Sequence, residues 1–181
     1  MSQFNRIIFL LAIIAACTIH RSQAQNGCIE IESILVDACD NGSSSPEGPN
    51  EMFRFRTSSF PINISEITIF NGWPSESTNA LPFNGFVQNN QTIAKTAELN
   101  ATITSCGLLI EPPDGNIPPN SSVLAITSYQ VSATLNSFAN LSDTIFVIYH
   151  EHLGQAGGHF LNQTTTTPQA QELRIQITGA N

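Results

Sequence analysis

Short segments with the two-residue period of a β-strand constrain the fold of this chain more than any other feature of its sequence. The segment Met52–Arg56 alternates strictly, so Phe53 and Phe55 are predicted to face a core while the residues between them point the other way. Residues 173–177 alternate in the same manner. A strand of this kind buries only one face, so several strands must pair and stack to enclose a core.

About seven such segments are separated by turn-forming residues, such as the Pro-Pro-Asp-Gly run at 112–115. Residues 92–99 are the one helical candidate, and Ile93, Ala97 and Leu99 are predicted to face the core. Because strands do not alternate with helices, the pattern predicts an all-β fold, an antiparallel sandwich or barrel with at most one short helix. The other strand candidates are residues 29–36, 62–70, 107–111, 123–126 and 144–149.

The segment 1–24 has the features of a secretory signal peptide. One charged residue, Arg6, precedes an apolar run over residues 7–16, and that run is too short to span a bilayer as a helix. Small residues then lead to a cleavage position before Gln25. The sequence therefore predicts a single folded domain over residues 25–181.

A second interpretation of the same segment stays open. Residues 14–17, Ile-Ala-Ala-Cys, are similar to the lipobox of bacterial lipoproteins, in which Cys17 would carry a lipid anchor. Both interpretations place the mature chain in the extracellular space or at the cell surface. Neither predicts a transmembrane segment, because no later stretch has the roughly 18 apolar residues that a membrane-spanning helix needs.

The charge of the chain argues against nucleic acid as a partner. Without the first 24 residues, 157 residues remain, with four basic and fourteen acidic side chains and a net charge of −10. Nucleic-acid-binding proteins usually present a basic patch, because neutralising phosphates supplies much of their affinity. The four remaining basic residues are Arg54, Arg56, Lys95 and Arg174.

Three cysteines follow the signal segment, and an exported chain is expected to form a disulfide. An extended strand between Cys28 and Cys39 would hold them over about 30 Å apart, far beyond the ~7 Å that a disulfide allows. Cys39 and Cys106 both lie at predicted strand ends. We therefore predict a disulfide between Cys39 and Cys106.

A histidine pair closes the most strand-like segment of the chain. His150 and His152 are two residues apart, so on a strand they would share a face and both could reach one metal ion. His159 is a third candidate ligand. The competing interpretation is a strand end with two exposed histidines.

Two further candidate binding sites, one for calcium and one for a sugar, lie in predicted loops. Asp37, Asp40, Glu47 and Glu51 could supply oxygen ligands to calcium, but the EF-hand alternation is missing and a solvated acidic loop explains them as well. Trp73 precedes a proline in a predicted loop and is a candidate sugar-stacking platform. A single tryptophan also packs commonly into a core.

Residues 29–39 and 46–52, which read IEIESILVDAC and PEGPNEM, resemble the opening of a group of exported bacterial proteins described as lamin-tail-like or gliding-motility-associated. Residues 50–55 resemble the second strand of the lamin-tail family. Residues 117–124 and 138–145 are similar to two of its later segments. The resemblance implies an immunoglobulin-like β-sandwich of about seven strands that binds or tethers at surfaces.

Taken together, the residues and the resemblance predict a non-catalytic extracellular or cell-surface binding module without a cofactor. The sequence has no nucleophile elbow, phosphate-binding loop or dinucleotide-binding motif. The expected partner is a protein or glycan at the cell surface. Two alternatives stay open: a carbohydrate-binding module that uses Trp73, and a metal-dependent enzyme that uses His150, His152 and His159.

Overall fold

A computed structural model describes residues 29–35, 48–71, 85–150 and 173–178 of the chain. Ten strands and one α-helix lie in these residues, together with three short 3-10 turns. The strands are β1 (Glu30–Leu35), β2 (Met52–Arg56), β3 (Ile62–Asn63), β4 (Ile67–Asn71), β5 (Phe86–Val87), β6 (Leu108–Ile110), β7 (Asn116–Ile117), β8 (Ser122–Ile126), β9 (Thr144–His150) and β10 (Leu173–Ile177). The helix, α1, spans Asn90–Asn100.

The main sheet has the order β1-β2-β8-β9, and both β5 and β6 pair with β9. The pairs β1–β2, β2–β8 and β5–β9 are antiparallel, as predicted for a sandwich. The pairs β8–β9 and β6–β9 are parallel. Parallel neighbours need a long crossover rather than a hairpin, and residues 127–143 supply it between β8 and β9.

One side of the main sheet, here called the phenylalanine face, carries Phe53 and Phe55 and is covered by two small sheets. β4 pairs with β10 and β3 pairs with β7, both antiparallel. Strict alternation turns Phe53 and Phe55 to this side, as the sequence predicts, and their rings stack with centroids 5.9 Å apart. The other buried members of this core are Ile62, Ile64, Ile67, Ile69, Ile117, Val123, Ala125 and Ile148.

The opposite side, here called the arginine face, carries Arg54 and Arg56 and is covered in part by α1 and by the β8–β9 crossover. Its core begins with Met52, which is buried although the sequence suggests only that it points away from the phenylalanines. The remaining buried members are Leu99, Leu109, Leu124, Ile126, Val131, Ala133, Ile145, Val147 and Tyr149.

The helix buries a different face from the one predicted. Leu99 is buried, but Ile93 is 57% exposed and Ala97 is exposed, while Thr92 and Thr96 point into the protein. The threonine hydroxyls lie 2.8 and 3.0 Å from the two carboxylate oxygens of Glu111. Polar contacts therefore decide the orientation of α1, which apolar periodicity alone does not reveal.

Tyr149 extends this polar contact into the core. Its hydroxyl lies 2.9 Å from Thr96 Oγ1. A threonine hydroxyl carries one hydrogen, and since Thr96 donates it to Glu111, Tyr149 donates to Thr96. Burial, with a smaller effect from the Glu111 and Glu98 carboxylates, raises the pKa of Tyr149 above its usual range. The tyrosine is thus a neutral hydrogen-bond donor that ties β9 to the helix.

The predicted all-β class is confirmed, because the described residues form a sandwich-like arrangement of sheets with one short helix. The main sheet is mixed rather than purely antiparallel as predicted, because the long crossover makes β8 and β9 parallel. The helix begins two residues before the predicted segment and ends one residue after it. Among the helices in the described ranges, none is long and apolar enough to cross a membrane.

Candidate binding surface

Strand β1 is the most exposed element of the main sheet. One side of it pairs with β2, and in the part of the chain that the structure describes its other side is a sheet edge. All six of its residues are exposed. Three are large and apolar: Ile31 is 39% exposed, Ile34 is 45% exposed and Leu35 is 43% exposed. Sequence analysis predicts a strand over residues 29–36 but does not predict its exposure.

A β-bulge in β1 determines which face of the sheet each of its side chains lies on. Ile31 is opposite Phe55 and Ile34 is opposite Phe53, with a register shift between Ile31 and Ser33. Residues directly opposite each other in an antiparallel pair share a face. Both isoleucines therefore lie on the phenylalanine face although three positions separate them, and a bulge is what permits that spacing.

The arginine face of the same edge carries an ion-pair array. Arg54 Nε lies 2.6 Å from Glu32 Oε2, and Arg56 Nε donates to Glu32 Oε1 at 3.2 Å. Ser122 Oγ accepts from Arg54 at 3.0 Å and donates to Glu32 Oε2 at 3.2 Å. The array thus crosses three neighbouring strands, from β1 through β2 to β8.

Glu32 is held ionised by this array. Partial burial acts to raise its pKa, but the Arg54 guanidinium, the Ser122 hydroxyl and Arg56 together outweigh that effect. The pKa of Glu32 consequently lies below its ordinary value of 4.5. Its charge is present throughout the neutral range, and the arginines next to it are fixed in place.

No known protein family, curated protein or solved structure matches this chain. The similarity to lamin-tail domains therefore stays a hypothesis that rests on the quoted segments. Three of those segments lie wholly within the described residues: residues 50–55 enter and form most of β2, residues 117–124 run from the end of β7 into β8, and residues 138–145 lead into β9.

The structure places two of the candidates, Glu51 and His150, in one row of the main sheet on strands that are not neighbours. Met52, Ile126 and Tyr149 are in register across β2, β8 and β9, and the backbone N–H of Thr127 donates to the carbonyl of Glu51. Glu51 and His150 therefore lie in one row of the sheet, separated by Thr127. Glu51 is fully buried and His150 is 4% exposed, so His150 is not the exposed histidine of a frayed strand end.

A buried asparagine next to this row fixes the β8–β9 crossover. Asn50 Oδ1 accepts from the backbone N–H of Ser132 at 2.9 Å and from Asn136 Nδ2 at 2.8 Å. Thr127 Oγ1 lies 2.6 Å from the carbonyl oxygen of Gly48 and 2.9 Å from that of Glu51, so its single hydrogen is shared between these two acceptors. This end of the sheet is thus polar and closely hydrogen-bonded.

Within the described ranges, no group of three or more His, Cys, Asp or Glu side chains is placed to hold a metal ion. Several predicted candidates lie outside those ranges. They are Cys17, Asp37, Cys39, Asp40, Glu47, Trp73, His152 and His159.

Cys106 is exposed and forms no disulfide with another described residue, and its Sγ lies 3.2 Å from the carbonyl oxygen of Ser142. Its predicted partner, Cys39, is one of the residues outside the described ranges. The pairing of these two cysteines stays a prediction.

Sequence reasoning missed Glu32. The outward direction of Arg54 and Arg56 is predicted from the alternation of β2, but their shared partner on β1 is not. The signal available was the pairing of two charge patterns, Glu-x-Glu at 30–32 and Arg-x-Arg at 54–56. Opposite charges at equal spacing favour neighbouring strands.

Proposed function

We propose that this chain is an exported, non-catalytic binding module that recognises its partner along β1. The observation that carries the proposal is the exposure of all six β1 residues, including three large apolar ones, at a sheet edge. Folded proteins usually shorten, cover or charge such edges, because an exposed strand readily pairs with another chain. An edge that keeps Ile31, Ile34 and Leu35 in solvent is suited to binding.

The expected mode of binding is strand addition. The outward N–H and C=O groups of an edge strand can pair with an extended segment, and the side chains beside them provide specificity. The sheet behind β1 is rigid enough to present it, because β2 and β8 are buried on both sides of the sheet apart from the arginine array. The geometry requires no movement of the core.

The test is binding of the purified, fluorescently labelled mature protein to the surface of the cells that produce it. Ile34→Asp places a charge on the apolar side of β1, and we expect it to raise the apparent Kd about tenfold or more, a loss of at least ~1.4 kcal/mol of binding free energy. Ile93→Asp is the matched control, since Ile93 is also an exposed isoleucine, 57% against 45% for Ile34, but lies on α1.

Equal binding by the wild type and Ile34→Asp, with both variants folded by circular dichroism, would refute the proposal. So would hydrolytic turnover by the purified protein that a single point substitution abolishes. Loss of binding in both variants would mean that binding depends on exposed apolar surface in general. β1 would then have no special role.

The metal-dependent alternative uses His150, His152 and His159, and one observation favours it: His150, the one of the three that lies in the described residues, is buried at the end of β9. It predicts stoichiometric transition metal in the purified protein and loss of that metal in His150→Ala. Metal-free protein with unchanged stability would count against it.

A further inference from the structure

We infer that the partner of β1 is an extended segment of another protein in which apolar and basic side chains alternate. The inference rests on the proposed binding role of β1 and adds the chemistry of its partner. It follows from the two different surfaces that the edge offers: Ile31 and Ile34 lie on one side, and the carboxylates of Glu30 and Glu32 lie on the other, beside Ser33 and Leu35.

The β-bulge places two exposed isoleucines on the same side of β1. Because Ile31 and Ile34 both lie on the phenylalanine face, a strand laid against β1 would meet two isoleucines on that side. Every second side chain of an extended segment points to the same face. Apolar residues at alternate positions would therefore cover the exposed parts of Ile31 and Ile34 and extend the core that Phe53 and Phe55 begin.

On the arginine face, acidic and basic side chains lie on different strands. Glu30 is opposite Arg56, and Glu32 contacts Arg54 and Arg56. Acidic side chains thus occupy the outermost strand and basic ones the next strand inward. A strand added outside β1 would lie beside the carboxylates, about 4.8 Å away, and would meet the arginines only at twice that distance. Basic side chains on it would continue the alternation of charge, whereas acidic ones would face like charge.

The whole chain favours the same sign. Its net charge is −8, or −10 without the signal segment. A surface of this charge attracts basic segments and raises the rate at which they arrive.

A second copy of this chain is disfavoured as the occupant. Two antiparallel β1 strands would bring Glu30 and Glu32 of both copies to a single seam, four carboxylates in all. Arg54 and Arg56 already pair with Glu32 of their own copy. Charged side chains on an edge strand are one of the ways in which proteins prevent pairing with themselves. The carboxylates of β1 would repel a second β1 strand but would attract a basic segment.

The experiment compares three synthetic peptides of equal length on the mature protein: one alternating Val and Lys, one alternating Val and Glu, and one with the Val and Lys residues in two separate blocks. Affinity is measured by fluorescence anisotropy, and the binding position by amide chemical-shift changes in β1. We expect the alternating Val–Lys peptide to bind at least about tenfold more tightly than either of the others. We also expect binding to weaken as salt rises from about 0.05 to 0.5 M.

Matched charge reversals separate a local effect from a general one. Glu30→Lys reverses an exposed carboxylate on β1, and Glu98→Lys makes the same change on the exposed side of α1. We expect Glu30→Lys to weaken Val–Lys binding about tenfold and Glu98→Lys less than about twofold. Equal weakening by both would show general attraction and would overturn the inference.

The other outcomes also decide between the two proposals. If the Val–Glu peptide binds β1 as tightly as Val–Lys, the partner class is wrong but β1 remains a binding strand. If the protein forms dimers through β1, the occupant is a second copy and the inference fails. If no peptide shifts β1 amides and Ile34→Asp binds cells normally, the proposed function fails as well.

Discussion

Of Gly85, Gly107 and Gly115, Gly107 leaves the least room for a side chain. A Cβ atom there would lie 2.2 Å from the carbonyl oxygen of Leu141, while the Gly107 N–H donates to that same oxygen at 2.8 Å. Gly107→Ala must push apart the two segments that lead into β6 and β9. We expect it to lower the free energy of unfolding by about 3 kcal/mol, as measured by urea titration.

A different glycine serves as the control for that measurement. Gly85 has a φ of +100°, but a Cβ atom added to it would meet no atom within 4 Å beyond its chain neighbours. Gly85→Ala adds backbone strain without a clash, so its cost should be about 1 kcal/mol. If Gly107→Ala costs no more than Gly85→Ala, the close approach to Leu141 does not exist in solution.

Glu32 provides a prediction on pH at the same scale. Its pKa is lowered on folding, so the stability it contributes is complete above about pH 4.5 and is lost as pH falls through the lower pKa of the folded state. Arg54→Gln removes the main partner and should raise the carboxyl pKa, as followed by ¹³C NMR. The stability lost at neutral pH should be about 1 kcal/mol or less, because the array is partly solvated. An unchanged pKa in Arg54→Gln would show that the ion pair does not persist in solution.

At the scale of elements, the orientation of α1 can be tested by two substitutions one turn apart. Thr96→Val keeps the shape of the side chain but removes the contacts with Glu111 and Tyr149, so it should cost about 1 to 3 kcal/mol. Ile93→Ala removes an exposed side chain and should change stability by no more than about 0.5 kcal/mol. Had Ile93 faced the core, its truncation would cost about 2 to 5 kcal/mol. Thermal unfolding of the two variants distinguishes the two orientations.

Elements whose pattern reflects local burial were predictable, and those set by distant contacts were not. β2 and β10 alternate visibly because the apolar side chains of each pack against the core on the phenylalanine face while a more exposed residue follows each of them. The helix α1 lies within two residues of its predicted bounds. The parallel pairing of β8 with β9 depends on the path of the crossover, which no short pattern encodes. The exposure of β1 was hidden because its apolar residues resemble those of a core strand, and the bulge that sorts them depends on pairing with β2.

At the scale of the whole molecule, the order of the main sheet predicts which parts of the fold open first. β8 lies between β2 and β9, and its residues Val123 and Ala125 are completely buried. β1 has one neighbour in the described chain and six exposed residues. Amides in a central strand usually exchange only through large-scale opening, whereas those of an edge exchange through local opening.

We therefore expect amide hydrogens of β8 to exchange at least about 100-fold more slowly than those of β1, measured by NMR in native buffer. Adding the alternating Val–Lys peptide should slow the hydrogen exchange of β1 amides selectively, because strand addition gives the outward N–H groups of β1 new acceptors. β8 amides should slow only by the overall gain in stability that ligand binding confers. If β1 is already as protected as β8 without any peptide, its edge is covered in the free protein and cannot be the binding surface.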